Sequence, residues 1–215
     1  MANEFYQLFV QCLEIPYTTV ENAGSFAVRK EGGHLMLFFE KSNGLTDWKN
    51  NLNFPCIPYH HMGKLWFCHR GFLKVWKSIK PYLYDVIRDP TVQEITITGY
   101  SHGAAIAALC HEYVWFHRPE LREKLRGYGF GTPRFYWGFL PRRVLKQRWE
   151  KFFLIRNRKD LVTHLPPVLL GFRHVHKVQT IGKKNSDSPI GAHRPESYLR
   201  ELSRYGAESS MSGML

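Results

Sequence analysis

The chain has 215 residues, 44% of them hydrophobic and 15% aromatic, enough for one domain to bury a core without metal or disulfide staples and too apolar for a disordered polymer. No apolar run reaches the roughly 20 residues that span a bilayer. Thirty Lys and Arg against 18 Asp and Glu leave a formal charge of +12, a field that draws anionic surfaces without choosing between lipid and nucleic acid.

Along the chain, Phe5, Leu8, Phe9, Cys12 and Leu13 recur at helical spacing before Pro16, which predicts a packing helix. The same stretch lacks the basic start and small-residue cleavage site of a secretory leader. Cys12, Cys56, Cys68 and Cys110 are widely scattered and are expected as free thiols. A cytoplasmic or peripheral-membrane location follows as the expectation. Residues 25–29 and 35–40 read as two strands joined at Glu31-Gly32-Gly33, a hairpin expected to start the sheet. Residues 43–68 are polar and dotted with aromatics, without a clear period.

From residue 71 to 87, Phe72, Val75, Trp76, Ile79, Leu83 and Val86 keep a helical period, with Pro81 expected to kink that helix or begin a second segment. Residues 95–98 then alternate as a strand, and an alanine-rich helix is expected as far as Phe116. Further strands are expected over 125–130, 151–155 and 173–181. A last amphipathic helix over about 195–205 would bury Tyr198, Leu199 and Leu202. Strands alternating with helices predict an α/β fold with a mostly parallel central sheet and helices on both faces. Residues 1–215 read as one such domain, with 206–215 as a flexible tail.

The most informative segment is Ile97-Thr98-Gly99-Tyr100-Ser101-His102-Gly103. It is a Gly-x-Ser-x-Gly turn fed by β-branched residues and left by a run of alanines, the strand-turn-helix setting of a nucleophile elbow. Small residues two positions either side of the serine let strand and helix pass closely while Ser101 projects from the sheet edge. A serine hydroxyl near neutral pH needs a histidine to take its proton and a carboxylate to orient that histidine. With the chain order Ser, acid, His, the candidates after the elbow helix are His164, His174, His176 and His193. His193 sits in a glycine-containing loop before the last helix, whereas His174 and His176 alternate on an expected strand. Asp160 follows a strand end and precedes Leu165-Pro166-Pro167, where α/β sites assemble; Asp187, in a polar loop, is the reserve.

Taken together, these segments resemble the class 3 (fungal-type) lipases of the α/β-hydrolase fold over about residues 38–199. The elbow, Gly129-Phe130-Gly131-Thr132-Pro133-Arg134, Asn157-Arg158-Lys159-Asp160-Leu161-Val162 and His193 with Tyr198 are similar to successive family motifs. The resemblance implies a serine hydrolase that cleaves carboxylic esters of lipids, as a triacylglycerol lipase or a phospholipase A-type esterase. It implies Ser101, Asp160 and His193 as the triad, and Ser42 with the His102 backbone N–H as the oxyanion hole. Phe39-Glu40-Lys41-Ser42 followed by Asp47-Trp48 is similar to the family's Phe-Arg-Gly-Thr/Ser strand end, with Glu40 and Lys41 replacing Arg and Gly. Residues 43–52 correspond to its lid, with Leu45 and Trp48 as the apolar members, and His69 of Cys68-His69-Arg70-Gly71-Phe72 takes a structural place.

Glu40 and Lys41 motivate a second reading, a catalytically degenerate relative that binds lipid or a protein. No cofactor is called for: the spacing of Cys56, His60, His61, Cys68 and His69 is not a standard zinc pattern. Arg142, Arg143, Lys146, Arg148, Lys151, Arg156, Arg158 and Lys159 form the densest basic stretch, either a solvated face or a contact with anionic membrane. Stacking aromatics are not interleaved with it, so nucleic acid is set aside.

Overall fold

The computed structural model describes residues 2–20, 24–40, 55–139, 143–182 and 187–212. Helix α1 (Ala2–Glu14) leads into β1 (Thr18–Val20), β2 (Gly24–Glu31) and β3 (His34–Phe39). β2 and β3 form the expected antiparallel hairpin. β1 pairs outside it, so the hairpin does not begin the sheet. A second hairpin, β4 (Cys56–His61) and β5 (Lys64–His69), occupies the segment that reads as irregular. Met62 and Gly63 both have positive φ, 48° and 72°, the two-residue turn whose twist suits a hairpin. Its pattern is masked because β4 carries Pro58, His60 and His61 and buries only Tyr59 fully.

Helix α2 (Arg70–Arg88) is a single element that holds Pro81 on its exposed side. His69 caps it, its Nδ1 accepting from the Gly71 N–H at 3.1 Å. There follow β6 (Glu94–Tyr100), α3 (His102–His117), β7 (Leu125–Phe130), β8 (Tyr136–Trp137) and β9 (Phe152–Asn157). The strand expected over 173–181 is instead two, β10 (Phe172–Arg173) and β11 (Val178–Ile181). They belong to different sheets, so the residues between them cross from one to the other. Helix α4 (Pro195–Ser212) continues past Tyr205.

The main sheet runs β1-β2-β3-β6-β7-β9-β11, and β3, β6, β7, β9 and β11 are mutually parallel. A four-stranded sheet, β10-β8-β5-β4, stands beside it. Strand alternation divides the core in two. Leu35, Leu37, Phe39, Ile95, Ile97 and Leu154 face α2 and α3, while Met36, Phe38, Tyr100, Phe130 and Ile155 face Phe5 and Phe9 of α1 and Tyr198 and Leu202 of α4. Helix α3 is buried all round from His102 to Val114, which is why it is alanine-rich: small side chains let it lie between the sheet and α2.

Two buried polar features accompany this packing. Glu112 of α3, fully buried, accepts from Trp66 Nε1 at 3.1 Å and pairs with the buried Arg148. Arg148 therefore leaves the basic surface that the sequence suggests. Burial also holds the imidazoles of His102 and His111 down, to about 4 and about 3. An unfolded histidine takes its proton near pH 6.5, so below that value the unfolded state binds more protons and stability falls with pH until the folded values are reached. The unfolding temperature is expected to drop steadily from pH 6.5 to about 4, and His111→Gln to flatten part of that slope. A constant Tm across the window would contradict this.

Candidate active site

Ser101 stands between β6 and α3, and the local sequence explains its pose. A Cβ on Gly99 would collide with the Gly103 carbonyl, and one on Gly103 with the carbonyl oxygens of Phe39 and Glu40. Only glycine at both positions lets the start of α3 pass the ends of β6 and β3. The turn forces Ser101 to φ 57° and ψ −124°, a conformation costing about 1–3 kcal/mol, and its N–H is anchored on the Phe130 carbonyl at 2.8 Å. The side chain thus sits at the positive end of a 16-residue helix, where developing negative charge is favoured.

His193 reaches it from the loop before α4. Its Nε2 lies 2.8 Å from Ser101 Oγ, and its Nδ1 lies 2.8 Å from Asp160 Oδ2. A carboxylate can only accept, so Nδ1 carries the proton and Nε2 is left to accept from the serine hydroxyl. Asp160 is fully buried and takes two more donors, the Val162 N–H on Oδ1 at 2.9 Å and the Tyr198 hydroxyl on Oδ2 at 2.6 Å. Gly131, at φ 61°, leaves the space that these groups fill: a Cβ there would stand 3.0 Å from His193 Cε1 and 3.1 Å from both Asp160 Oδ2 and the Tyr198 hydroxyl.

The sequence does not assign the roles that several supporting residues take. Asn157 ends β9 and donates from Nδ2 to the Ala192 carbonyl at 3.0 Å and to Ser197 Oγ at 2.8 Å, clasping the loop that carries His193. Its own N–H donates to the Tyr198 hydroxyl at 3.1 Å. The Tyr100 ring stacks on His193 at 5.3 Å, and its hydroxyl donates to the His193 carbonyl. Tyr198 is legible as a core residue, but its hydroxyl role depends on the phase of α4. Burial first, then the Asp160 carboxylate, pushes its phenol well above the usual range, so it stays a donor. Tyr198→Phe removes one charge-assisted hydrogen bond to Asp160, worth about 1.5–3 kcal/mol. It should lower stability by about that amount and ester turnover by about tenfold or more, read by thermal unfolding and kcat; unchanged kinetics would separate Tyr198 from the site.

The other candidates lead elsewhere. His164 Nε2 lies 3.4 Å from an Arg156 guanidinium nitrogen, and His174 Nε2 2.9 Å from the Thr163 carbonyl. Asp187 accepts from Ser197 Oγ at 2.5 Å and from Arg200, bracing the start of α4. His102, the first residue of α3, directly follows Ser101. Ser42, Leu45 and Trp48 lie outside the described residues. Among the described residues no group of three or more His, Cys, Asp or Glu converges as a metal site.

A family model described as Lipase (class 3) matches residues 36–170. The chain belongs to the class 3 lipases. Among curated relatives, a secreted mono- and diacylglycerol lipase of Malassezia globosa is 26% identical over 169 residues, 75% of this chain and 53% of that protein. One of Fusarium solani is 26% identical over 166 residues, 74% of this chain and 44% of that protein. The chain thus spans about half the length of these relatives. The Rhizomucor miehei triacylglyceride lipase structure superposes with a TM-score of 0.66 at 20% identity, covering 83% of this chain and 78% of that one. A fungal lipase–inhibitor complex gives 0.67 at 20% identity, covering 84% and 79%. The fold of this class 3 lipase is that of the α/β-hydrolases.

The expected cytoplasmic or peripheral-membrane location is corrected by the relatives, which are named as secreted enzymes. That expectation rested on the missing basic start and cleavage site around the apolar run from Phe5 to Val10. In the structure this run is part of α1, with Phe5 and Phe9 fully buried, so its pattern reports on packing and not on export. No helix of the described residues is long and apolar enough to cross a membrane.

Proposed function

We propose that this lipase-family chain hydrolyses carboxylic esters of lipids through an acyl-enzyme. Ser101 Oγ attacks the acyl carbonyl, His193 Nε2 takes its proton and returns it to the leaving alcohol, and Asp160 keeps His193 in the required tautomer. Water then repeats the sequence to release the acid. The observation that carries this reading is the pair of 2.8 Å contacts from one imidazole to Ser101 Oγ and Asp160 Oδ2, on a serine held at positive φ. The His102 backbone N–H, with Ser42 by family resemblance, holds the oxyanion; each such donor lowers the barrier by about 3 kcal/mol.

Glycerides of one or two acyl chains are the substrate class that the relatives' names favour. Large apolar residues stand exposed around the Asp160 and His193 loops, Leu161, Leu169, Leu170 and Ile190 among them, with exposed Arg143, Lys146 and Arg158 on the basic stretch. These support contact with an anionic lipid surface. A fluorophosphonate probe is expected to label the purified protein on the peptide containing Ser101, and diacylglycerol in anionic vesicles to be hydrolysed less as salt rises. A folded protein that takes no label overturns the proposal.

A further inference from the structure

Far from Ser101, two histidines distant in sequence meet across the molecule. His61 ends β4 and His117 ends α3, and their Nε2 atoms are 3.4 Å apart. Two imidazoles bound at about 2.05 Å to one tetrahedral ion place their nitrogens about 3.4 Å from each other. The ring centroids are 5.5 Å apart, so each Nε2 is turned toward the other at hydrogen-bonding distance. Both residues are half-buried, within reach of a solvated ion.

The surroundings of His61 carry the argument further. Its ring is stacked by Tyr59 at 5.6 Å and by Tyr113 at 5.8 Å, which fixes its orientation before any ligand arrives. Behind it, Nδ1 faces Glu112 Oε2 at 3.9 Å. Both atoms are buried without a hydrogen-bond partner among the described residues, an arrangement that costs free energy unless something resolves it. An ion on Nε2 requires the proton on Nδ1, directed at that carboxylate, which is the carboxylate–imidazole–metal relay common behind bound metals.

We propose that His61 and His117 form a two-imidazole site for a divalent late-transition-metal ion, completed by water, that ties the β4–β5 hairpin to the end of α3. Lys80, Arg88 and Arg148 stand close enough to act electrostatically on the pair and oppose a cation. By the general affinity order for nitrogen ligands Cu2+ binds ahead of Ni2+ and Zn2+, drawing the two nitrogens toward the spacing of about 2.9 Å that cis ligands of a square-planar ion take, whereas Zn2+ accepts the present spacing. No third His, Cys, Asp or Glu joins the pair among the described residues, so the predicted affinity is that of two ligands.

The test uses the untagged chain, titrated with Cu2+, Ni2+ and Zn2+ chlorides. Cu2+ should give an electron paramagnetic resonance spectrum with coupling to two imidazole nitrogens, and metal should raise the unfolding temperature in a concentration-dependent way. His117→Ala, at a half-exposed helix end, should keep its circular dichroism spectrum and lose Cu2+ affinity by about tenfold or more. His61→Ala should do the same if it folds; if it does not, His117→Ala decides. Absence of Cu2+ binding, or binding of equal strength in wild type and His117→Ala, overturns the site.

Discussion

Ser101→Ala should lower kcat for a soluble p-nitrophenyl ester by about six orders of magnitude, as removal of a nucleophile does where nucleophile, base and orienting acid act as one unit. The loss corresponds to about 8 kcal/mol of barrier at about 1.4 kcal/mol per decade. The fold should survive, because Ser101 contributes to packing chiefly through its backbone: its N–H donates to Phe130 and its carbonyl accepts from Ala104 at 3.0 Å. Relief of the positive φ does not follow from the change, since alanine meets the same steric limit. Residual turnover, about 10³–10⁴ above water, would come from the oxyanion donors and substrate positioning. Single-turnover kinetics and probe labelling read the outcome. A variant within tenfold of wild type, or one still labelled, would show that another side chain is the nucleophile.

The elbow could be read so fully because its determinants are local. Gly99 and Gly103 are required by backbone atoms within four residues of Ser101 or on the adjoining end of β3, and the alanines that follow are required by a helix buried on every side. Such constraints leave their mark on neighbouring positions. Asp160 and His193 were legible through chain order and loop placement, and the structure brings both to Ser101. The reserve Asp187 is instead committed to Ser197 and Arg200, a choice made by the way α4 begins and not by the polar loop around it.

What stayed hidden depends on distant pairings. The β4–β5 hairpin buries one face against Glu112, Tyr113 and Trp149, so its residues look irregular until α3 is in place. Arg148 reads as one more cation in a basic stretch, yet it is drawn inside by a carboxylate 36 positions earlier in the sequence. Residues 173–181 read as a single strand because no Gly, Pro, Asn or Asp interrupts them. Only the requirement that Phe172 pair with Trp137 and Val178 with Leu154 divides them.

Asp160→Asn should reduce kcat by about 10⁴-fold, or about 5.5 kcal/mol of barrier, through the tautomer of His193 and not through lost packing. The carboxylate accepts from Val162 N–H on one oxygen and from Tyr198 and His193 on the other. An amide cannot satisfy that set in either orientation. With its NH2 toward His193, Nδ1 must become the acceptor, the ring proton moves to Nε2, and Nε2 can no longer take the Ser101 proton. That orientation also leaves the Tyr198 hydroxyl proton, which now donates to Oδ2, facing an NH2 donor. With its NH2 toward Val162, the tautomer is kept, but two donors face each other at a distance that now holds a 2.9 Å hydrogen bond. The first orientation sacrifices catalysis and the second sacrifices stability, so kcat and Tm measured together distinguish them. Asp187→Asn is the control: it lies outside the chain from Ser101 to Asp160 and should leave kcat within a few-fold of wild type. If Asp187→Asn, and not Asp160→Asn, removed turnover, the orienting carboxylate would have to be reassigned.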